Sequence, residues 1–491
     1  MEKKFCRMNA ILRAFLNAQG INLYFFLITI MLENLEPKAV WKYFEEICKI
    51  PRCSKNEERI ANYIMEVARG NGYEVAKDEA GNVVARKGNA LITFQCHMDM
   101  VCEKNKDVIH DFSKDGIKPY IDGDYVKARG TTLGADNGIG IAICLALMEK
   151  NLPLEFLFTV DEESGLTGAF ALKKGFIKGK YLINLDSEDF GVIYIGCAGG
   201  GNSIISMPLK YLNKEMEGIR ITVKGLKGGH SGIEIDKGRA NSIKLLARIL
   251  YEIDARISKI EGGDKHNAIP REAFAEISVD KSIEEVQKKA EEMKKIFMNE
   301  YPQEKNMEIV VEKCKLSRIL DKRKSKKVLN LLLALPHGVI AMSQDVKELV
   351  ETSTNLATVR TENELKIVMN SRSSIDSSLD AIMQSIRSIA ELAGAKVEEG
   401  SKYPGWKPNL ESKLLRIASE AFFELYARQP EKKAIHAGLE TGIIGKITGI
   451  NEIISIGPQI EHPHSPDEVV QISSVEKFWR YLLHLIEKIK D

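Results

Sequence analysis

"GTTLGADNGIGIA", Gly130 to Ala142, sets one carboxylate, Asp136, in a glycine-lined turn just ahead of an apolar run. Glycines give the backbone a freedom other residues lack. Taken alone, the stretch predicts a loop feeding a helix, with Asp136 or Asn137 as its N-terminal cap. The segments on either side change that reading.

Four short apolar runs predict buried strands: "ALITFQC" (90–96), "LEFLFTV" (154–160), "KYLINL" (180–185) and "NEIISIG" (451–457). Between them lie stretches with helical spacing, such as "WKYFEEICKI" and "NEERIANYIMEVARGNG". Strands alternating with helices predict an α/β domain with a mostly parallel sheet. From residue 207 the texture changes to strand-like "GIRITVKGL" and "EAFAEISVD" among charged helical segments. This predicts an inserted α+β domain over 207–405. The first α/β domain is then split into 32–206 and 406–491, and residues 1–31 form an extension outside the fold.

Each of the four strands runs into polar chemistry. The first reaches His97 and Asp99, the second Glu162 and Glu163, the third Asp186, and the fourth His462 and His464. In open α/β sheets, ligands gather beyond the carboxyl ends of the strands. Asp136 therefore has company. Imidazole and carboxylate donors suit zinc, manganese or cobalt without any thiol. His97, Asp136, Glu163, Asp186 and His464 can hold two divalent ions if one carboxylate bridges, whereas the same acids without cations repel one another or hold protons. Singly, each has a plainer reading: Asp99 as a loop acid, Glu162 and Glu163 as a solvated turn, Asp186 as a cap. At a strand end, though, residues i and i+2 share a face, so Asp99 can orient the His97 ring. Adjacent Glu162 and Glu163 diverge, so one can bind metal while the other reaches water.

Composition fits a folded, uncharged enzyme: 44% of residues are apolar, 28% are charged, and the formal net charge is +1. No global field recruits nucleic acid or an anionic membrane. "INLYFFLITIML" is apolar for about a dozen positions, too few to cross a bilayer. It reads as an upstream extension before a start at Met31, with a peripheral anchor or signal as the rival. The eight cysteines lack the paired spacing of a zinc or redox motif and read as reduced core residues, which implies a cytoplasmic home.

"HMDM", "GTTLGADNGIG", "DEESGLTGAF", "NLDSED", "GLKGGHSGIEI" and "EHPHSPDE" together resemble, in order, the aminoacyl-histidine dipeptidase branch of the co-catalytic zinc dipeptidases. That family includes peptidase V, peptidase T and glutamate carboxypeptidase. The resemblance covers the chain from Leu32 onward. It implies two zinc ions (cobalt or manganese as alternatives), with His97 and Asp186 on one, Glu163 and His464 on the other, and Asp136 between them, followed by a cis peptide. It implies Glu162 as general base, Asp99 as the residue fixing His97, and the inserted domain as a lid over the catalytic one, with His230 as oxyanion donor. Arg372 is implied to grip the substrate carboxylate with help from Asn267, and Glu440 to take part near the substrate amino group. His266 and His436 read as structural. Relatives commonly pair through the lid, which implies a homodimer.

The function implied is hydrolysis of short unblocked peptides, Xaa-His dipeptides first, through a water bridging the metals. An amidohydrolase that deacylates N-acyl amino acids is the nearest rival, and a non-catalytic metal- or peptide-binding protein is the rival from another class.

Overall fold

The four apolar runs form the strands expected of them, Ile92–His97, Glu155–Thr159, Tyr181–Asn184 and Glu452–Ser455. The computed structural model describes residues 32–490, so the reading of 1–31 lies outside the described residues. The first three strands are buried along their whole length, as both faces of a parallel sheet require. They form the parallel centre of an eight-stranded sheet, in the order Glu155–Thr159, Ile92–His97, Tyr181–Asn184, Glu452–Ser455. The flanks are less regular. Glu74–Lys77 and Val83–Arg86 add as an antiparallel ribbon at one edge. Val192–Cys197 runs antiparallel at the other and pairs in parallel with Glu431–Ile435. All four central strands end on one side, and the sequence turns acidic or imidazole-bearing there.

The helix after the opening stretch, Ala135–Met148, is apolar on every side and buried throughout apart from Asp136. A helix of that kind belongs inside a layer rather than on a surface. It packs on the strand Ile92–His97 and under the outer helix Lys38–Cys48. Its beginning is not a capped start. Gly134 is left-handed (φ 68°), Asp136 and Asn137 have non-helical dihedrals, and the bond between them is cis. Regular helix starts only beyond Asn137, so Asp136 is not the cap that the isolated stretch suggests.

The lid is a nine-stranded antiparallel sheet carrying helices such as Ser242–Glu252 and Asp376–Leu392. It begins earlier than 207. The strand Gly199–Pro208 pairs with Glu364–Ser373 on one side and Lys396–Tyr403 on the other, so it belongs to the lid. Only Ala198 separates it from Val192–Cys197, and its run of glycines hides the crossover in the sequence. Among the described residues, no helix is long and apolar enough to cross a membrane.

Two cysteines depart from expectation. Cys53 pairs with Met100 in a parallel bridge, which brings its Cα to 5.8 Å from that of Cys102, and the two form a disulfide. Cys48, Cys96, Cys144 and Cys197 are buried and free, as the apolar runs around them suggest.

Gly140 shows how tightly the turn is packed. A Cβ there would lie 1.9 Å from Asn137 Oδ1 and 3.0 Å from the Leu185 carbonyl. Gly140→Ala should therefore cost about 1–3 kcal/mol of stability. An unchanged denaturation midpoint would contradict this packing.

Candidate functional site

The strand ends deliver their side chains to one point. His97 Nε2 lies 3.0 Å from Asp136 Oδ1 and 3.2 Å from Asp186 Oδ1. His464 Nε2 lies 2.9 Å from the other Asp136 oxygen, Oδ2, and 3.1 Å from Glu163 Oε1. Asp136 thus faces one histidine and one further acid on each side. The two triplets, His97–Asp136–Asp186 and Asp136–Glu163–His464, each gather donor atoms within 4.8 Å of one another. Glu163 Oε1 is buried, and the one nitrogen facing it, His464 Nε2, also faces Asp136 Oδ2 at 2.9 Å. Two carboxylate oxygens sharing one imidazole nitrogen, in a nest of further acids and a second imidazole, fit a pair of divalent cations by chemistry and by number.

The electrostatics agree. Burial alone lowers an imidazole pKa, but around His97 the carboxylates of Asp186, Asp136 and Asp99 outweigh it and hold it well above its usual value. Hydrogen bonds to Asp136 and Glu163 push His464 up to about 11. Burial raises the Asp136 carboxyl, yet His464 and His97 overcome that and hold it well below the usual carboxylate range. Burial, joined by the charges of Asp186 and Glu163, raises Glu162 well above its ordinary value. Without cations, this cluster is held together by protons.

The turn bearing Asp136 is clamped from two sides. Glu468 accepts from the backbone N–H groups of Leu133 and Gly134, both at 2.8 Å, and from that of Asp136 at 3.1 Å. Buried Arg52 donates to the carbonyls of Met98 (3.1 Å) and Asp99 (2.6 Å), and to that of Gly134. It thereby ties the end of the His97 strand to the turn. Asn137 donates to the Leu185 carbonyl at 3.0 Å and to the Asp186 carboxylate. Asp99 stands 3.3 Å from His97 Nδ1, and its two oxygens accept from the backbone N–H groups of Glu162 (3.0 Å) and Glu163 (3.1 Å). One carboxylate therefore contacts an imidazole and both members of the acidic pair. A further acid group, Glu57–Asp99–Asp161, has its own hydroxyl and backbone donors, including Ser54, Ser164 and Thr167.

Both triplets and Glu162 line a cavity of about 210 Å³ together with Glu188, Tyr194, Gly438 and Leu439. Glu440 does not line it. That residue is buried beneath, accepting from Gln95 Nε2 and Thr159 Oγ1, both at 2.6 Å, and burial pushes its carboxyl up to about 8. Glu440 Oε2 thus has a place in a buried polar network, while Oε1 is left without a donor.

The lid residues gather separately. His230 Nδ1 accepts from the N–H groups of Gly232 (3.2 Å) and Ile233 (3.3 Å), which leaves the ring proton on Nε2. Burial and the Arg372 charge lower its pKa to about 4. Arg372 is buried, donates to the Tyr403 hydroxyl at 3.1 Å and keeps its Nε without an acceptor. Asn267 precedes Ala268, the residue across the short ladder from His230, and its backbone carbonyl accepts from Ser231 N–H. His436, one residue beyond cavity-lining Ile435, bonds to Ser353 of the lid at 2.7 Å. The lid cluster therefore adjoins the cavity wall.

A fold of split α/β domain plus lid, with two acid–imidazole triplets at the strand ends, defines a peptidase class. The chain belongs to the peptidase family M20/M25/M40, whose model matches residues 93–488. It is similar to the cytosol non-specific dipeptidase of Escherichia coli (strain K12), 42% identical over 479 residues, 93% of this chain and 99% of that protein. Its structure is similar to that of aminoacylhistidine dipeptidase from Vibrio alginolyticus, with a TM-score of 0.85 and 38% identity over 93% of this chain and 97% of that one. The aminopeptidase PepT from Bacillus cereus shares the fold at a TM-score of 0.55 and 20% identity, covering 93% of this chain and 100% of that one.

Because the surrounding acids hold His97 and His464 above the usual imidazole range without cations, metal uptake must compete with protons there. Apparent affinity should rise with pH through the neutral range and fall toward acid. Titration calorimetry in buffers of different ionisation enthalpy should find at least one proton released per chain. Zero release would contradict the charge states described.

Proposed function

We propose that this chain is a cytosolic metal-dependent dipeptidase that hydrolyses unblocked dipeptides, Xaa-His among them. The supporting observation is the Asp136 carboxylate shared between two imidazole–acid sets beside an uncommitted, half-buried acid, Glu162. The names of the similar Escherichia coli and Vibrio proteins point the same way, the first toward a broad range and the second toward histidine.

His97 and Asp186 would hold one cation, Glu163 and His464 the other, with Asp136 between. When bound, such ions polarise a carbonyl and acidify water. Glu162 lines the cavity and, with cations in place of the cluster's protons, its carboxylate would take a proton from water and pass it to the leaving amine. Asp99 keeps His97 and the Glu162–Glu163 turn in register. His230, neutral and presenting its Nε2 proton, donates to the oxyanion as the lid closes. The unpartnered Arg372 Nε serves the substrate carboxylate, with Asn267 beside it. Zinc is the ion proposed, with cobalt or manganese as substitutes.

Glu162→Gln should keep the metal content and KM while lowering kcat by about 10²–10⁴-fold. Steady-state kinetics with alanyl-histidine, alongside elemental analysis, reads both. Full turnover in the variant would remove Glu162 from the reaction. His230→Ala should lower kcat by about 10²–10³-fold with little change in KM, and a loss confined to KM would refute the oxyanion contact. Exclusive action on N-acyl amino acids would replace the dipeptidase reading by deacylation.

A further inference from the structure

Six carboxylates line the cavity, and the reaction described uses Asp136, Glu162, Glu163 and Asp186. Of the remaining two, Asp189 is engaged by the Tyr194 hydroxyl at 2.6 Å. The Glu188 side chain has no hydrogen bond or ion pair among the described residues, although it sits in the cavity close enough to feel the charges of Asp136, Asp186 and His464.

Its backbone is held firmly. The Glu188 carbonyl accepts from Ile460 N–H at 2.9 Å. Gly457 presses so closely on Ser187 that a Cβ there would meet the Ser187 carbonyl oxygen at 1.6 Å. The stretch from Gly457 to His464 therefore fixes Glu188 relative to both triplets.

An unblocked dipeptide carries its ammonium two covalent bonds from the scissile carbonyl carbon, so both must fall within a few ångströms, roughly the sum of two backbone bond lengths. A carbonyl brought to Asp136 and Glu162 thus brings the ammonium into the same cavity. Glu440 does not line the cavity, and its Oε2 is taken by Gln95 and Thr159.

Resting on the dipeptidase reading, we propose that Glu188 is the specificity-determining residue that receives the substrate's free α-ammonium. The charge-assisted hydrogen bond rewards unblocked peptides, and a blocked or absent amine leaves the carboxylate facing nothing. One residue in the cavity thereby separates a dipeptidase from a deacylase built on the same centre.

The test pairs one enzyme change with one substrate change. Alanyl-histidine and propionyl-histidine differ only by the amino group, and Glu188→Gln keeps the shape of the side chain while removing its charge. The variant should bind the same amount of metal by elemental analysis. Its kcat/KM for alanyl-histidine should fall at least about tenfold, as expected for one charged hydrogen bond. Propionyl-histidine, read by kcat/KM if cleaved or by Ki if only inhibitory, should stay within about twofold. Equal losses on both compounds, or no loss on either, would overturn the role of Glu188 while leaving the dipeptidase reading intact. Failure of the wild-type enzyme, supplied with zinc, manganese or cobalt, to cleave alanyl-histidine would overturn both.

Discussion

The structure depends on a single carboxylate looking both ways. Asp136 turns one oxygen to His97 and the other to His464, residues separated by most of the chain and carried on different elements. Placed between two imidazoles and flanked by Asp186 and Glu163, it makes two sites out of what would otherwise be two scattered acid–histidine pairs. Burial opposes ionised acids strongly, so such a cluster persists only if positive charge sits among them. In the bare protein the acids hold both imidazoles above their usual range, and under the proposed function two divalent cations would supply that charge.

The fold holds Asp136 through its backbone. Glu468 collects three N–H groups of the turn, and Arg52 collects carbonyls from the turn and from the end of the His97 strand. Both side chains are buried, so the loss of either would leave polar groups without partners, at about 1–3 kcal/mol each. Asn137 and Asp99 extend the bracing to Asp186 and to the Glu162–Glu163 turn. The parallel strands bring the reactive groups to one edge, and these hydrogen bonds set where each one points.

How much of this was legible beforehand follows from where the information lies. The apolar runs leading to His97, Glu162–Glu163, Asp186 and His464 announce the strands together with the candidate site residues, because burial and chemistry are written close together in the sequence. The bracing by Arg52 and Glu468 is not legible there because both act on backbone groups, which no residue pattern advertises. Glu468 reaches across more than 330 positions to do so. The buried network around Glu440 is illegible for a related reason: a nearby segment says nothing about which face of a helix start meets the cavity. The early beginning of the lid at Gly199 and the pairing of Cys53 with Cys102 depend on chain crossings that only the tertiary structure displays.

Anomalous diffraction from crystals of the zinc-loaded protein examines the shared carboxylate most directly. The account predicts two peaks flanking Asp136, one between His97 and Asp186 and the other between Glu163 and His464. A solitary peak with Asp136 on neither side of it, or two ions bound away from these residues, would contradict it.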